Sequence, residues 1–196
     1  MNKNNVLSSI NLQMKESAET LQKTAEFTSA SIQKAAKLIA DAFKNGNKLL
    51  LCGNGGSAAD CQHLATEFMN QLSMNFKRPG LPAIALTTDT SFITSFSNDY
   101  SFEGIFAKQI ETLGKPNDIL IAISTSGNSK NIIKAVKQAN LQQMKVISLT
   151  GNKGAIKELS DIAITIPSDS TQHIQEAHLV IEHILCGEVE NILFKK

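Results

Sequence analysis

The stretch of sequence from residue 48 to residue 67 reads KLLLCGNGGSAADCQHLATE and joins an apolar run to a glycine-rich turn and a helical pattern. The apolar run predicts a buried strand, and the segment that begins at Ser57 predicts a helix that this serine could cap. Asn54 and three glycines lie between them, and the glycines are expected to adopt positive φ and to let a partner come close. These glycines are Gly53, Gly55 and Gly56. A strand, a glycine turn and a helix N-terminus form an anion site, so we expect phosphate to bind here.

The alternation of strand and helix continues through the rest of the chain. Predicted strands cover 48–52, 82–87, 118–124, 144–149 and 161–166. They are apolar on both faces, which is typical of parallel strands that are covered by helices on both sides. Predicted helices cover 57–72, 90–97, 103–113, 128–140, 154–159 and 172–194. The sequence therefore predicts one domain, 1–196, whose α/β core at 47–196 is a doubly wound five-stranded parallel sheet.

An N-terminal extension, residues 1–46, precedes this core. Apolar residues at helical spacing predict two helices in it, at 4–24 and 27–45. Such an arm could cover the face of its own domain or pack against another subunit. Fold economy favours packing against another subunit.

Composition and charge exclude several classes of protein. The chain has 196 residues, 42% of them hydrophobic and 19% charged, which argues against wholesale disorder. A formal net charge of +1 gives no general attraction to nucleic acid or to a membrane surface. No apolar run is long enough to span a bilayer, and the polar start lacks the apolar core of a signal peptide. We therefore expect a cytoplasmic protein with no nucleic-acid or membrane partner.

The cysteines are too few and too scattered for a disulfide framework, which fits a reducing compartment. We interpret them as buried small apolar residues. They are Cys52, Cys61 and Cys186.

A second loop repeats the arrangement of the first one. Residues 124–136 read STSGNSKNIIKAV, so a predicted strand ends in hydroxyl side chains and a helix follows. The hydroxyls are those of Ser124, Thr125, Ser126 and Ser129, and they can surround a phosphate with neutral donors. The loop lacks the GK[ST] of a Walker A sequence and the GxGxxG of dinucleotide sites, so no nucleotide cofactor is expected. A capped turn is the alternative, but two such loops at strand ends favour a ligand site.

Ionisable residues follow the first loop and recur in the last predicted helix. Asp60, His63 and Glu67 are three and four residues apart, so a helix places them on one face. Gln175 and His183 are eight residues apart, about two helical turns. This set could form a tetrahedral metal site, or Glu67 and His183 could move protons on a bound sugar. The first group could also be an ordinary surface pair, and spacing alone does not show that the two helices meet.

These motifs together resemble the sugar isomerase (SIS) family and, within it, the phosphoheptose isomerases. The segments that carry the resemblance include CGNGGSAADCQHLATEF at 52–68, RPGLPAIALTTD at 78–89, ISTSGNSKNIIKA at 123–135 and IQEAHLVIEHIL at 174–185. The resemblance covers essentially the whole chain. It implies a flavodoxin-like fold and a cytoplasmic homotetramer with active sites at subunit interfaces. The implied reaction converts D-sedoheptulose 7-phosphate to D-glycero-D-manno-heptose 7-phosphate, towards the heptose of lipopolysaccharide.

The resemblance also implies roles for individual residues. Glu67 and His183 match the acid/base pair of the family, which works through an enediol(ate). The resemblance further implies a zinc ion, one per subunit, held by His63, Glu67, Gln175 and His183. If zinc is bound, Glu67 cannot be a free base without a change in coordination, so both roles remain open. The implied substrate contacts are Asn54, Gly55, Gly56, Ser57, Glu67, Asn98, Asp99, Ser124, Thr125, Ser126, Ser129 and Gln175.

One position departs from the family pattern. Many relatives carry an arginine one turn after the glutamate, whereas this chain has Gln71 there. Lys77 or Arg78 could supply the missing positive charge.

Two readings compete with the enzyme. A non-catalytic SIS tetramer that binds the replication initiator DnaA shares the fold and the second loop but lacks counterparts of Glu67 and His183. A sugar-phosphate sensing domain of a transcriptional regulator would need a DNA-binding module, and the net charge does not favour it.

Overall fold

The computed structural model describes residues 3–74 and 76–195. A long helix is followed by alternating strands and helices, and a 3₁₀ turn at Phe102–Gly104 precedes the fourth helix. The strands are β1 (Leu49–Gly53), β2 (Ala83–Ala85), β3 (Ile119–Ser124), β4 (Lys145–Gly151) and β5 (Ile162–Ile166). The helices are α1 (Lys3–Lys44), α2 (Gly56–Met69), α3 (Thr90–Asp99), α4 (Ile105–Leu113), α5 (Lys130–Leu141), α6 (Ile156–Leu159) and α7 (Thr171–Phe194). Each predicted strand and each predicted core helix is therefore present.

The five strands form one parallel sheet in the order β2-β1-β3-β4-β5. This order confirms the predicted doubly wound α/β fold. The chain turns to one side of β1 to form β2 and to the other side to form β3, so the switch point lies between β1 and β3. Ligands of such sheets bind where the strands end at this point. The loops that follow β1 and β3 are the two loops singled out from the sequence.

The sheet separates two hydrophobic clusters, as runs that are apolar on both faces require. Leu49 and Leu51 of β1 pack on one side with residues of α1, α2 and α7. Leu50 and Cys52 pack on the other side with residues of α4 and α5. The three cysteines are free and buried, which confirms their interpretation as small apolar residues.

The N-terminal extension is one helix of 42 residues, so the prediction of two helices is wrong. The segment 3–44 contains no glycine or proline that would break a helix. The helix ends just before Gly46, which has a φ of 78°. Its second half is buried against α7 and β5, whereas Leu7 and Met14 in its first half are exposed. Among the described residues, no helix is long and apolar enough to cross a membrane.

Candidate active site

The first loop turns the chain sharply from β1 into α2. Gly55 has a φ of 55° and a ψ of −122°, but Gly53 and Gly56 do not have positive φ, so the prediction holds for one glycine only. Gly53 and Gly56 are needed because other parts of the chain approach their Cα atoms closely. A Cβ on Gly53 would lie 2.4 Å from the carbonyl oxygen of Ser57, and one on Gly56 would lie 2.3 Å from Nε2 of Gln175. The loop therefore lies directly against the side chain of Gln175.

Ser57 does not cap the helix, contrary to the sequence-based expectation. The N-cap residue of α2 is Gly55, no side chain in the described part of the chain caps the helix, and Ser57 lies buried within the first turn. The start of α2 is thus formed by glycine backbone.

Helices α2 and α7 meet beside this loop and bring their histidines together. Nε2 of His63 lies 2.8 Å from Nε2 of His183, and the two rings meet edge to face with centroids 5.0 Å apart. Oε1 of Glu67 lies 3.9 Å from Nε2 of His63, one helical turn away on α2. The structure therefore places Glu67, His63, His183 and Gln175 along one contact between the two helices. The spacing of these residues in the sequence could not establish this contact.

The donor chemistry of this group fits zinc. Two imidazoles and a carboxylate form a donor set typical of catalytic zinc sites, and the amide oxygen of Gln175 could be a fourth ligand. The two imidazole nitrogens are at hydrogen-bonding distance. In the part of the chain that the structure describes, no group of three or more His, Cys, Asp or Glu side chains is spaced to hold a metal ion as it stands. If zinc is bound, these four side chains would hold it, and this role stays a prediction.

The second loop, the hydroxyl loop at residues 124–129, gathers hydroxyl groups at the N-terminus of α5. Oγ of Ser124 lies 3.5 Å from Oγ of Ser126 and 3.3 Å from Oγ of Ser129. Ser129 is the N-cap residue of α5, and its own side chain makes no capping hydrogen bond to a described residue. Neutral donors and a helix N-terminus are the features that suit phosphate.

The next loop holds the hydroxyl loop in place. The amide of Gly151 donates to the carbonyl of Thr125 over 3.1 Å, and the amide of Ile156 donates to the carbonyl of Gly127 over 3.2 Å. A cavity of about 300 Å³ lies between the hydroxyl loop and the loop that follows β4, and Thr125 and Ser126 line it. The hydroxyl loop is therefore fixed at the carboxyl edge of the sheet and opens to solvent there.

Arg78 has a structural role. Its side chain is fully buried, and its Nε donates to Glu190 over 2.7 Å. Its other nitrogens donate over 2.7 Å to the carbonyl oxygens of Glu67 and Phe68, near the end of α2. Arg78 is thus committed to the C-terminus of α2, and the suggestion that it replaces the missing arginine near Gln71 is wrong for this chain. Lys77 is exposed, and its role stays a prediction.

Asn98 and Asp99 lie at the exposed end of α3. Nδ2 of Asn98 donates to Oδ1 of Asp99 over 2.9 Å. Among the described residues, no hydrogen bond or ion pair joins either of them to Glu67 or His183. Their part in substrate binding stays a prediction.

A buried polar cluster that the sequence analysis did not predict lies behind the histidines. His178 and Glu182 are one turn apart on α7 and are fully buried, and both lack hydrogen-bond partners among the described residues. Burial, and to a lesser degree the negative charge of Asp60, raises the pKa of Glu182 to about 9. Burial lowers the pKa of His178 to about 4, against a smaller opposite effect of the backbone at Thr150. Both side chains are therefore neutral at pH 7.

Asp60 borders this cluster on α2, and one of its carboxylate oxygens is buried without a described partner. Burial raises the pKa of Asp60, and the nearby His63 partly offsets this effect. The only signal of the cluster in the sequence is that His178 and Glu182 fall on the same helix face as Ile174, Ile181 and Leu185.

Comparison with known proteins finds relatives that match most of the chain. A model of the SIS domain family matches residues 14–151. The chain is 48% identical over 183 residues to the phosphoheptose isomerase of Shewanella oneidensis, which covers 91% of this chain and 92% of the relative. It is similar to a solved phosphoheptose isomerase from Francisella tularensis, with 42% identity, a TM-score of 0.91 and coverage of 95% and 98% of the two chains. For the enzyme from Neisseria gonorrhoeae, the identity is 38%, the TM-score 0.87 and the coverage 95% and 99%.

Proposed function

The chain belongs to the SIS domain family and groups with its phosphoheptose isomerases, and on this premise we propose that it converts D-sedoheptulose 7-phosphate to D-glycero-D-manno-heptose 7-phosphate. The reaction is an aldose–ketose isomerisation through an enediol(ate). It would be the first step towards the heptose of lipopolysaccharide, in the cytoplasm.

The observation that supports this reaction best is the meeting of α2 and α7. His183 contacts His63 over 2.8 Å, and Glu67 lies 3.9 Å from His63 on the same helix face. A carboxylate and an imidazole thus lie next to the first loop. The hydroxyl loop follows β3, the strand beside β1. Groups that can move protons and groups that can bind phosphate are thereby combined at one edge of the sheet.

Proton transfer is divided between two side chains. Glu67 takes the proton from one of the two carbons that exchange oxidation state and returns it to the other. His183 moves the proton between the oxygens, because imidazole is the side chain that most readily gains and loses a proton near neutral pH. His63 contacts His183 and can orient its ring.

Binding of the phosphate positions the reacting end of the sugar. Ser124, Thr125, Ser126 and Ser129 would hold the phosphate, and Asn54, Gly55, Gly56 and Ser57 would contact the hydroxyls. Binding energy far from the reacting carbons then sets the geometry of proton transfer. Asn98 and Asp99 would join from the exposed end of α3.

If zinc is present, one ion per subunit would be held by His63, Glu67, Gln175 and His183 and would polarise the sugar oxygens as a Lewis acid. The reaction needs no nucleotide cofactor.

We further propose that the chain forms a homotetramer with active sites at subunit interfaces. Exposed apolar residues support an assembly, because Val180 and Ile184 of α7 are 40% and 43% exposed and line a groove against α1 with Leu21. None of the residues of α3, all of which the structure describes, is buried.

The test is isomerisation of sedoheptulose 7-phosphate by the purified protein, followed by NMR with and without a chelator. We expect the aldose phosphate to accumulate to equilibrium, and loss of activity with the chelator would support a metal. A ketose phosphate that remains unchanged, with metal supplied, would contradict the enzyme and favour a non-catalytic SIS tetramer.

A further inference from the structure

One pair of side-chain amides joins the two loops that surround the candidate site. Asn54 lies in the first loop, and Asn131 lies in the first turn of α5, just after the hydroxyl loop. Nδ2 of Asn54 donates to Oδ1 of Asn131 over 2.9 Å, and Nδ2 of Asn131 donates to Oδ1 of Asn54 over 2.8 Å. Asn131 is 3% exposed. The pair is therefore reciprocal and largely shielded from water on the Asn131 side.

The backbone fixes the orientation of this pair. The amide N–H of Ile132 donates to Oδ1 of Asn131 over 3.0 Å. If the Asn131 amide were flipped, its NH₂ group would face this N–H, and both would be donors. Oδ1 of Asn131 must therefore face Ile132, and its Nδ2 must donate to Asn54. The orientation of the Asn54 amide follows from this, with one hydrogen of Nδ2 and one lone pair of Oδ1 left for a ligand.

The amide pair also links the segments that follow β1 and β3, beyond the last residues that these strands pair through their backbones. The paired residues of β1 and β3 end at Gly53 and Ile123. Asn54 is the next residue after β1, and Asn131 follows the hydroxyl loop that begins at the end of β3. The two loops are thus linked side by side at the switch point of the sheet.

We propose that Asn131 is a positioning residue of the isomerase: it orients the amide of Asn54 and holds the first loop at a fixed place relative to the hydroxyl loop. This inference rests on the proposed function. Its physical basis is that proton transfer depends steeply on the placement of the bound substrate, and a shift of about 1 Å can cost about 10²-fold in rate.

The test is a double-mutant cycle with Asn54→Ala, Asn131→Ala and the double variant, followed by kcat and KM. We expect Asn131→Ala to lower kcat/KM by about 10-fold or more in the wild-type background. In the Asn54→Ala background the further loss should be under about threefold, because residues that act as one unit are not additive. Losses that multiply, or an Asn131→Ala variant within about twofold of the wild type, would overturn the proposal. Asn140→Ala, exposed on the same helix, is the matched control and should keep wild-type kinetics.

A second variant separates positioning from folding. Asn131→Asp keeps the shape of the side chain and the acceptor for Ile132, but it turns an oxygen towards Oδ1 of Asn54. We expect kcat/KM to fall about as far as in Asn131→Ala, measured at a temperature at which circular dichroism shows that the variant is fully folded. Wild-type kcat/KM in this variant would refute the positioning role.

A measurement without turnover keeps this inference apart from the proposed reaction. In the wild type, the side-chain NH₂ of Asn131 should exchange slowly with solvent by NMR, and Asn54→Ala should remove this protection. Fast exchange in the wild type would refute the amide pair whatever reaction the protein catalyses. Absence of isomerase activity with slow exchange would count against the reaction alone.

Discussion

At the scale of single residues, Glu67 is the base that transfers the carbon-bound proton in the proposed reaction. Replacement by Gln keeps its size but removes the base, so we expect Glu67→Gln to lower kcat by about 10²-fold or more. Glu158→Gln, an exposed glutamate on α6, is the control and should retain full activity. Isomerisation of sedoheptulose 7-phosphate is the measurement, and near-normal turnover in Glu67→Gln would reject its role as base.

Glu182 allows a prediction about the pH dependence of stability. Its pKa is about 9 in the folded protein and near its ordinary value of 4.5 when unfolded. Between these values the folded protein binds the proton and the unfolded chain does not, so the contribution of Glu182 falls as the pH rises from about 4.5 to about 9. The titratable groups near this carboxyl are Asp60 and Cys61 of α2, and His178 lies one turn away on the same helix. Glu182→Gln should remove this fall and raise the free energy of unfolding at pH 8 on the order of a few kcal/mol.

Urea unfolding at several pH values tests this prediction, with the exposed Glu176→Gln on the same helix as control. Equal stability of the wild type and Glu182→Gln at pH 8 would contradict a neutral buried carboxyl. The effect of His178 lies at lower pH and has the opposite sign. Because its pKa is lowered from 6.5 to about 4, its contribution is lost as the pH falls through that range.

Contacts between site residues could be predicted where the residues are close together in the sequence. The spacing of His63 and Glu67 fixes a shared helix face, so their proximity follows from the sequence. The contact of His63 with His183 joins residues 120 positions apart, and it depends on how two helices pack. Arg78 was misjudged for the same reason, because its partner Glu190 is 112 residues away.

At the scale of secondary structure, Asp118 fixes the start of the central strands. Its carboxylate accepts from the backbone amides of Lys48 and Lys115 and pairs with the ammonium of Lys48, with 2% of its side chain exposed. Burial alone would raise its pKa, but these hydrogen bonds and the charge of Lys48 hold the pKa of Asp118 below its usual value.

Asp118→Asn should therefore lower the free energy of unfolding by about 2–4 kcal/mol at pH 7. A folded-state pKa that is lowered gives stability above the unfolded-state pKa, and this stability is lost as the pH falls through the folded-state value. The difference between wild type and variant should thus shrink in acid. Asp161→Asn is the control, since Asp161 accepts from the ammonium of Lys145 and from one backbone amide, that of Val146, and is 32% exposed. If both variants lose equal stability, burial of Asp118 is not the cause.

The strands were predictable because parallel strands in the middle of a sheet are apolar on both faces. All five residues of β1 and all six of β3 are buried. The break predicted near residue 26 in α1 was wrong, since the apolar pattern weakens there without any residue that ends a helix. A helix can continue through a weakly amphipathic segment when the part that follows is packed, as the second half of α1 is, and spacing does not reveal this.

At the scale of the whole molecule, the proposed tetramer predicts a mass four times the 21.2 kDa of one chain. Val180→Arg places a charge in the groove between α1 and α7, where apolar contact with another subunit would be lost. We expect light scattering after gel filtration to show smaller species for this variant. Leu141→Arg, an exposed apolar position at the end of α5 on the other side of the sheet, is the control. An unchanged mass in Val180→Arg would exclude this groove from the interface.

The topology of the whole sheet followed from the alternation of strands and helices, but the assembly could not be derived in the same way. A surface that packs against another copy of the chain need not differ in pattern from one that faces water. In α7, His183 and Ile184 are adjacent and both exposed, although one belongs to the candidate site and the other to an apolar groove.

The length of α1 has a practical consequence for experiments in solution. At 1.5 Å per residue its 42 residues extend roughly 63 Å, more than the width of a compact domain of this size. The native thiols are all buried, whereas Ser8 near the start of this helix is exposed. A Ser8→Cys variant therefore offers one exposed sulfur near the start of this helix, and a fluorophore attached there would report on rotational tumbling.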